Sequence, residues 1–161
     1  MLTPKYLVFR ISGQKFAVKY SQVIDITSVP QPVKVYHSGQ QQSEHNYFQS
    51  NKHNYQMVDL RSYLGINQEI SKKSSLVIVS SEKNGIKQNY GLMVNEVNGM
   101  FVMDSFSFYP YRTLVSKNFK DIREAIAIID NEPIIILNPN KIQYLFEPIE
   151  SSFSFTLALL N

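Results

Sequence analysis

The 161 residues carry 16 Lys and Arg against 13 Asp and Glu, a formal charge of +3, and contain neither Cys nor Trp. A chain of this length forms one domain, or two small subdomains around a shared core, and buries about 70% of the surface its unfolded form exposes without disulfides or metals. Lack of cysteine excludes disulfides, thiolate catalysis and zinc–thiolate sites. The charge is far below the density of a phosphate-tracking surface. No stretch approaches the roughly 20 apolar residues of a membrane-spanning helix. Met1-Leu2-Thr3-Pro4-Lys5-Tyr6 runs straight into a strand pattern without a leader's apolar core, which predicts a cytoplasmic protein with no membrane insertion.

Tyr6 to Ile11 is rich in strand formers, closes at Ser12-Gly13-Gln14 and resumes at Phe16 to Val18, a hairpin pattern. Tyr20 to Ile24 fits one helical turn with Ser21 as N-cap, before Ile24 to Thr27 alternates as a strand. Pro30 and Pro32 forbid a central strand and leave an extended edge segment through Val33-Lys34-Val35. His37 to Asn54 is polar, with Tyr47 and Phe48 as its apolar anchors, and reads as a long surface excursion. Tyr55 to Leu60 is a strand feeding the helical turn Arg61 to Leu64, which Gly65 ends. Leu76 to Val79 is a strand, and Lys83-Asn84-Gly85 a hairpin tip.

Tyr90 to Met103 organises the rest. Leu92 to Val94 is a strand led by Gly91, Asn95 and Glu96 make a polar turn, and a second apolar run is interrupted at Asn98-Gly99. Asn-Gly tolerates positive φ, so the stretch is expected to be a hairpin in a barrel core. Phe106 to Pro110 is aromatic and extended. Ala125 to Ile129 and Ile134 to Leu137 form another hairpin about Asp130-Asn131-Glu132-Pro133. Asn138 then caps a short helix with Pro139 at its first position. About ten short strands and only brief helices predict an all-β barrel or sandwich. Ser151 to Leu160 is an apolar tail, alternating at Phe153, Phe155 and Leu157, that docks as an extra strand or on a partner.

Catalysis needs convergent activated groups, and the sequence presents none. His37, His45 and His53 are eight residues apart in the polar stretch and lack the rigid neighbours of a metal site. Asp59, Glu96, Asp104 and Asp130 fall at strand ends or turns, where carboxylates cap or meet solvent. No nucleotide, hydrolase or metalloprotease motif is present, so neither enzyme activity nor a cofactor is expected. Small barrels also carry single-stranded nucleic acid on aromatic platforms, and Lys72-Lys73, Lys83, Lys87, Lys117 and Lys120 supply some charge. No cluster of cations exceeds two in a row, so nucleic acid is the alternative rather than the main reading.

Several words occur in a telling order: Tyr6-Leu7-Val8-Phe9 with Phe16-Ala17-Val18, Val23-Ile24-Asp25-Ile26, Met57-Val58-Asp59-Leu60-Arg61 with Leu64-Gly65, and Leu76 to Val79. Then come Tyr90-Gly91-Leu92-Met93-Val94-Asn95-Glu96-Val97, Ala125-Ile126-Ala127 and Ile134 to Lys141. In this order they resemble the CheW-like domain, the adaptor fold of bacterial chemotaxis signalling. The likeness covers roughly residues 5–147. It implies two intertwined small SH3-like five-stranded β-barrel subdomains with short helices over residues 1–147, followed by an apolar tail over 148–161. It also implies a non-catalytic adaptor that couples receptors to a CheA-like histidine kinase. The kinase's regulatory domain would be bound barrel to barrel, and the chemoreceptor's cytoplasmic tip in a groove between the subdomains.

By position, Pro32, Val33, Lys34 and Val35 would face a partner. Phe48 to Lys52 would replace the family's Asn-Leu-Arg-Gly turn, with Asn51 in place of its Arg and Lys52 in place of its Gly. Losing a guanidinium removes bidentate carboxylate recognition there. Asn95 and Asn138 stand where the family usually has Asp, while Asp25 and Asp59 keep its carboxylates. The partner-binding set implied by the resemblance is therefore Pro32, Val33, Lys34, Val35, Phe48, Asn51 and Lys52.

Overall fold

A computed structural model describes residues 3–28, 34–37, 44–50, 53–66, 74–104, 107–110 and 121–146. Two apolar runs explain its layout. In β1 (Lys5–Ile11) successive side chains point to opposite faces. Leu7, Phe9 and Ile11 enter one cluster, while Tyr6 and Val8 enter another. In β7 (Ser75–Lys83) Val77 and Val79 join the first cluster, and Leu76 and Ile78 form a third. Strands buried on both faces must be apolar at every position, which is why Tyr6-Leu7-Val8-Phe9 and Leu76-Val77-Ile78-Val79 do not alternate.

Twelve strands form two sheets of six among the described residues. The remaining strands are β2 (Gln14–Lys19), β3 (Val23–Ser28), β4 (Lys34–His37), β5 (Glu44–Ser50), β6 (His53–Val58), β8 (Ile86–Val94), β9 (Glu96–Val102), β10 (Tyr109–Pro110), β11 (Arg123–Ile129) and β12 (Glu132–Leu137). Sheet I runs β10-β11-β12-β2-β1-β9, and sheet II runs β3-β7-β8-β6-β5-β4. Each has five longer strands and a short outer one, two residues in β10 and four in β4. The chain starts in sheet I, builds all of sheet II, and returns to finish sheet I. A 3₁₀ helix (Pro139–Phe146) then packs back against β7 of sheet II. The architecture is all-β, two interleaved SH3-like subdomains around a shared core.

That shared core lies between the sheets and contains Phe9, Phe16, Leu60, Val77, Leu92, Ile122 and Ile142 among others. Phe9 and Phe16 face each other across the β1–β2 pair, with ring centroids 6.3 Å apart. Each such side chain withdrawn from water contributes about 1.5–3 kcal/mol. Sheet I has its own inner cluster of Tyr6, Val8, Ala17, Met103, Ala125, Ala127, Ile134 and Ile136. Sheet II has Tyr55, Met57, Leu76 and Ile78.

The turns follow their residues. Ser12-Gly13, Asn84-Gly85 and Asp130-Asn131 all have positive φ, as two-residue hairpin loops require. Gly65 closes the short helix α1 (Arg61–Leu64) in the left-handed conformation, at φ 71°. Asn138 Oδ1 accepts the Asn140 N–H at 3.0 Å, so the capping residue is the expected one.

Four expectations change. Tyr90 to Met103 is not a hairpin: β8 belongs to sheet II and β9 to sheet I, so the two strands part at Asn95. Asn98-Gly99 is a bulge, where Val8 faces Gly99 and Phe9 faces Val97. Positive φ at Gly99 (124°) suits a bulge as well as it suits a turn. Second, the polar stretch after His37 is not an excursion. Glu44–Ser50 forms β5, paired to β4 and β6, because ladder hydrogen bonds ask nothing of side-chain polarity. His37, His45 and His53 thus stand on three separate strands. Third, Ser21 caps nothing; the 3₁₀ turn Tyr20–Gln22 follows Lys19 and has no side-chain cap. Fourth, β10 contains only Tyr109 and Pro110. Phe106 and the tail from Ser151 lie outside the described residues.

Candidate partner-binding surfaces

Sheets dock through outer strands and uncovered faces, so the ends of the two sheets define the candidates. β4 is the outer strand at one end of sheet II. Lys34 pairs with Tyr47 and Val35 with Asn46, while Phe48 pairs with Tyr55. The ladder therefore brings Lys34, Val35 and Phe48 onto adjoining rungs of β4 and β5. Pro32, Val33, Asn51 and Lys52 lie outside the described residues.

A second surface was not foreseen. β9 is the outer strand at the other end of sheet I from β10, and Met100, Phe101 and Val102 on it are exposed. Across from it, β11 pairs with β10 only at Ile126 and Ala125, leaving Ala127 to Ile129 without a partner on that side among the described residues. Between the two lies a groove of about 230 Å³ lined by the apolar Val102, Met103, Phe108, Ala127, Ile128 and Ile129 together with Asp104 and Ser107. Val102 is 62% and Ile128 59% exposed. Isolated exposed apolar residues are ordinary, but a contiguous set beside an open strand edge marks an interaction surface. The sequence held the signal in Met100-Phe101-Val102-Met103. An apolar run does not reveal whether it is covered, and only Met103 is.

Three sets of charged groups build structure. Asp59 Oδ1 accepts the backbone N–H of Arg61 at 3.1 Å and its Nε at 2.9 Å, and Oδ2 accepts Nη2 at 2.6 Å. Asp121 repeats this with Arg123 at 2.9, 3.0 and 2.9 Å. The residue between each pair, Leu60 and Ile122, is buried in the shared core. Partial burial pushes both carboxyls up, but the arginine hydrogen bonds and charge outweigh it and hold them below the usual range. Burial raises the hydroxyls of Tyr6 and Tyr63, helped by Glu124 and Asp59 respectively. Half-exposed Glu132 bridges Arg10 Nη2 at 2.9 Å and Lys15 Nζ at 3.0 Å; the Lys15 hydrogen bond leads in lowering its carboxyl. No group of three His, Asp or Glu among the described residues is placed to hold a metal ion.

Two interleaved barrels with outer strands left open among the described residues are the architecture of a protein-binding module. The chain belongs to the CheW-like domain family, whose model matches residues 5–145. It is similar in structure to the scaffolding protein TtCheW from Thermoanaerobacter tengcongensis, with a TM-score of 0.71 and 22% sequence identity over 92% of this chain and 95% of that one. Comparison with curated proteins gives no match. The adaptor role in chemotaxis-type signalling expected from the sequence follows from the family, which is one of non-catalytic scaffolds.

Proposed function

We propose that this chain couples a receptor to a CheA-like histidine kinase by binding both, without chemistry of its own. The observation that carries the reading is that each sheet has an outer strand left open among the described residues beside a candidate surface. One is β4 in sheet II, the other β9 in sheet I, beside the β9–β11 groove. The groove, apolar apart from Asp104 and Ser107, suits barrel-to-barrel contact with the kinase's regulatory domain, where a desolvated apolar centre supplies most of the affinity. The segment Pro32-Val33-Lys34-Val35, with Phe48, Asn51 and Lys52, faces the second partner, the receptor's cytoplasmic tip. With Asn51 and Lys52 in place of Arg and Gly, this contact is hydrogen-bonded and monopolar rather than bidentate. A cytoplasmic location belongs to the same reading; no helix among the described residues is long and apolar enough to cross a membrane.

Pull-down with the cognate kinase's regulatory domain tests the proposal. Association at micromolar concentration is expected, and its absence at that concentration defeats the adaptor reading.

A further inference from the structure

β3 leaves an apolar strip bare at the margin of the shared core. Among the described residues it pairs only with β7, and Ile24 and Ile26 are 48% and 42% exposed. Ile26 stands opposite Val77, a shared-core residue, so its side chain borders that core. The C-terminal part of the chain arrives at the same margin. Gln22, just before β3, donates from Nε2 to Asn140 Oδ1 at 3.0 Å, at the start of the Pro139–Phe146 helix. At the helix's far end the Phe146 ring stacks on Tyr90, with centroids 5.9 Å apart.

Tyr90 pairs with Val79 and Val79 with Val23, one rung across β8, β7 and β3. Two strand spacings, about 10 Å, therefore separate the Tyr90 position from the β3 edge. After Phe146 the sequence continues with Glu147 to Ser152, a tether that spans up to about 20 Å when extended. Phe153-Ser154-Phe155-Thr156-Leu157 follows, apolar at every second position.

We propose that Phe153 to Leu157 folds back on the β3 margin of its own chain and covers Ile24 and Ile26. The tether is longer than the gap, and such a short link gives the segment an effective concentration of about millimolar at that margin. A second copy or a partner has to compete with it. The contact is made by side chains rather than by a thirteenth strand. A bulge at Ile24 interrupts the β3 ladder, and the Ile26 N–H already donates to Asp25 Oδ1 at 2.8 Å, so the edge offers no continuous row of free donors. The inference does not depend on which partners the adaptor binds.

The chain has no cysteine, so a thiol introduced as Ile26→Cys reports alone. Alkylation by iodoacetamide under native conditions is expected to be slower by about tenfold or more in the full chain than in one ending at Ser152. Equal rates overturn the proposal. Protection that disappears on dilution places another copy's segment on the strip and overturns it as well. Where circular dichroism shows that Ile26→Cys disturbs folding, Ile24→Cys carries the same measurement. The double variant Ile24→Cys/Phe155→Cys gives an independent readout. Oxidation is expected to yield a disulfide-linked monomer, and disulfide-linked dimers alone count against the proposal.

Discussion

Asn95 and Ser12 meet across 83 positions of sequence: the Ser12 N–H donates to Asn95 Oδ1 at 2.7 Å. The Asn95 N–H in turn donates to the Arg10 carbonyl at 2.9 Å. Asn95 is where the chain leaves sheet II for sheet I, and Ser12 is the left-handed tip residue of the β1–β2 hairpin, at φ 50°. One side chain thus ties the crossover to the hairpin beside which β9 must land. The geometry asks for an acceptor oxygen, which an amide supplies as a carboxylate does. Asp and Asn are therefore interchangeable at this position as far as the crossover is concerned.

Asn95→Ala removes that acceptor from the part-buried Ser12 N–H. The expected cost is about 1–2 kcal/mol, read as a lower urea midpoint at unchanged slope. Asn95→Asp keeps the acceptor and is expected to retain the midpoint. If Asn95→Ala is neutral, the crossover is not held by this bond.

Gly99 and Gly85 separate two kinds of glycine. At neither does a Cβ meet an atom within 4 Å, so substitution is decided by the backbone alone. Gly85, at φ 77°, is close to the left-handed region that other residues visit, and Gly85→Ala is expected to cost about 1 kcal/mol. Gly99, at φ 124°, lies well outside it, and Gly99→Ala is expected to cost about 1–3 kcal/mol. Thermal unfolding of the two variants should rank them in that order; the reverse order would mean that β9 closes its bulge when Gly99 is replaced.

These bulge and crossover residues also mark how far the sequence could be read. Strands buried on both faces were legible because Tyr6 to Phe9 and Leu76 to Val79 leave no polar position. Hairpin tips were legible because Asn84-Gly85 and Asp130-Asn131 require positive φ. Strand partners were not. Asn98-Gly99 carries the same local chemistry in a turn and in a bulge, and only the long-range pairing of β9 with β1 decides between them. Polar β5 was missed because its pairing is carried by backbone groups that every residue has. The groove beside β9 was missed because burial depends on where β10 begins, at Tyr109, and no local pattern encodes that.

Acid should loosen the two Asp–Arg latches. Asp59 and Asp121 have carboxyls lowered in the folded state, so their stabilisation is complete above the unfolded Asp value of about 4. It is lost as pH falls through the lower folded values. Urea unfolding at neutral pH and near pH 3 is expected to show a smaller loss in the double variant Asp59→Asn/Asp121→Asn than in the parent chain. At neutral pH the double variant should already be the less stable, since each arginine loses its carboxylate partner. An identical acid response in both proteins would show that these latches do not carry it.

Charge placed in the β9–β11 groove separates binding from folding. Val102 and Ile128 are mostly exposed, so Val102→Asp and Ile128→Asp should leave stability within about 0.5 kcal/mol of the parent. Each replaces an apolar side chain of the proposed kinase contact with a second carboxylate beside Asp104. Affinity for the kinase's regulatory domain is expected to fall by about tenfold or more, at least 1.4 kcal/mol. Ala127→Asp in the same groove is the contrast: Ala127 is buried in sheet I's inner cluster, and a charge there should unfold the subdomain. Calorimetric titration of the folded variants decides the matter. If Val102→Asp and Ile128→Asp bind the kinase as the parent does, the contact lies elsewhere, and β4 becomes the edge to mutate next.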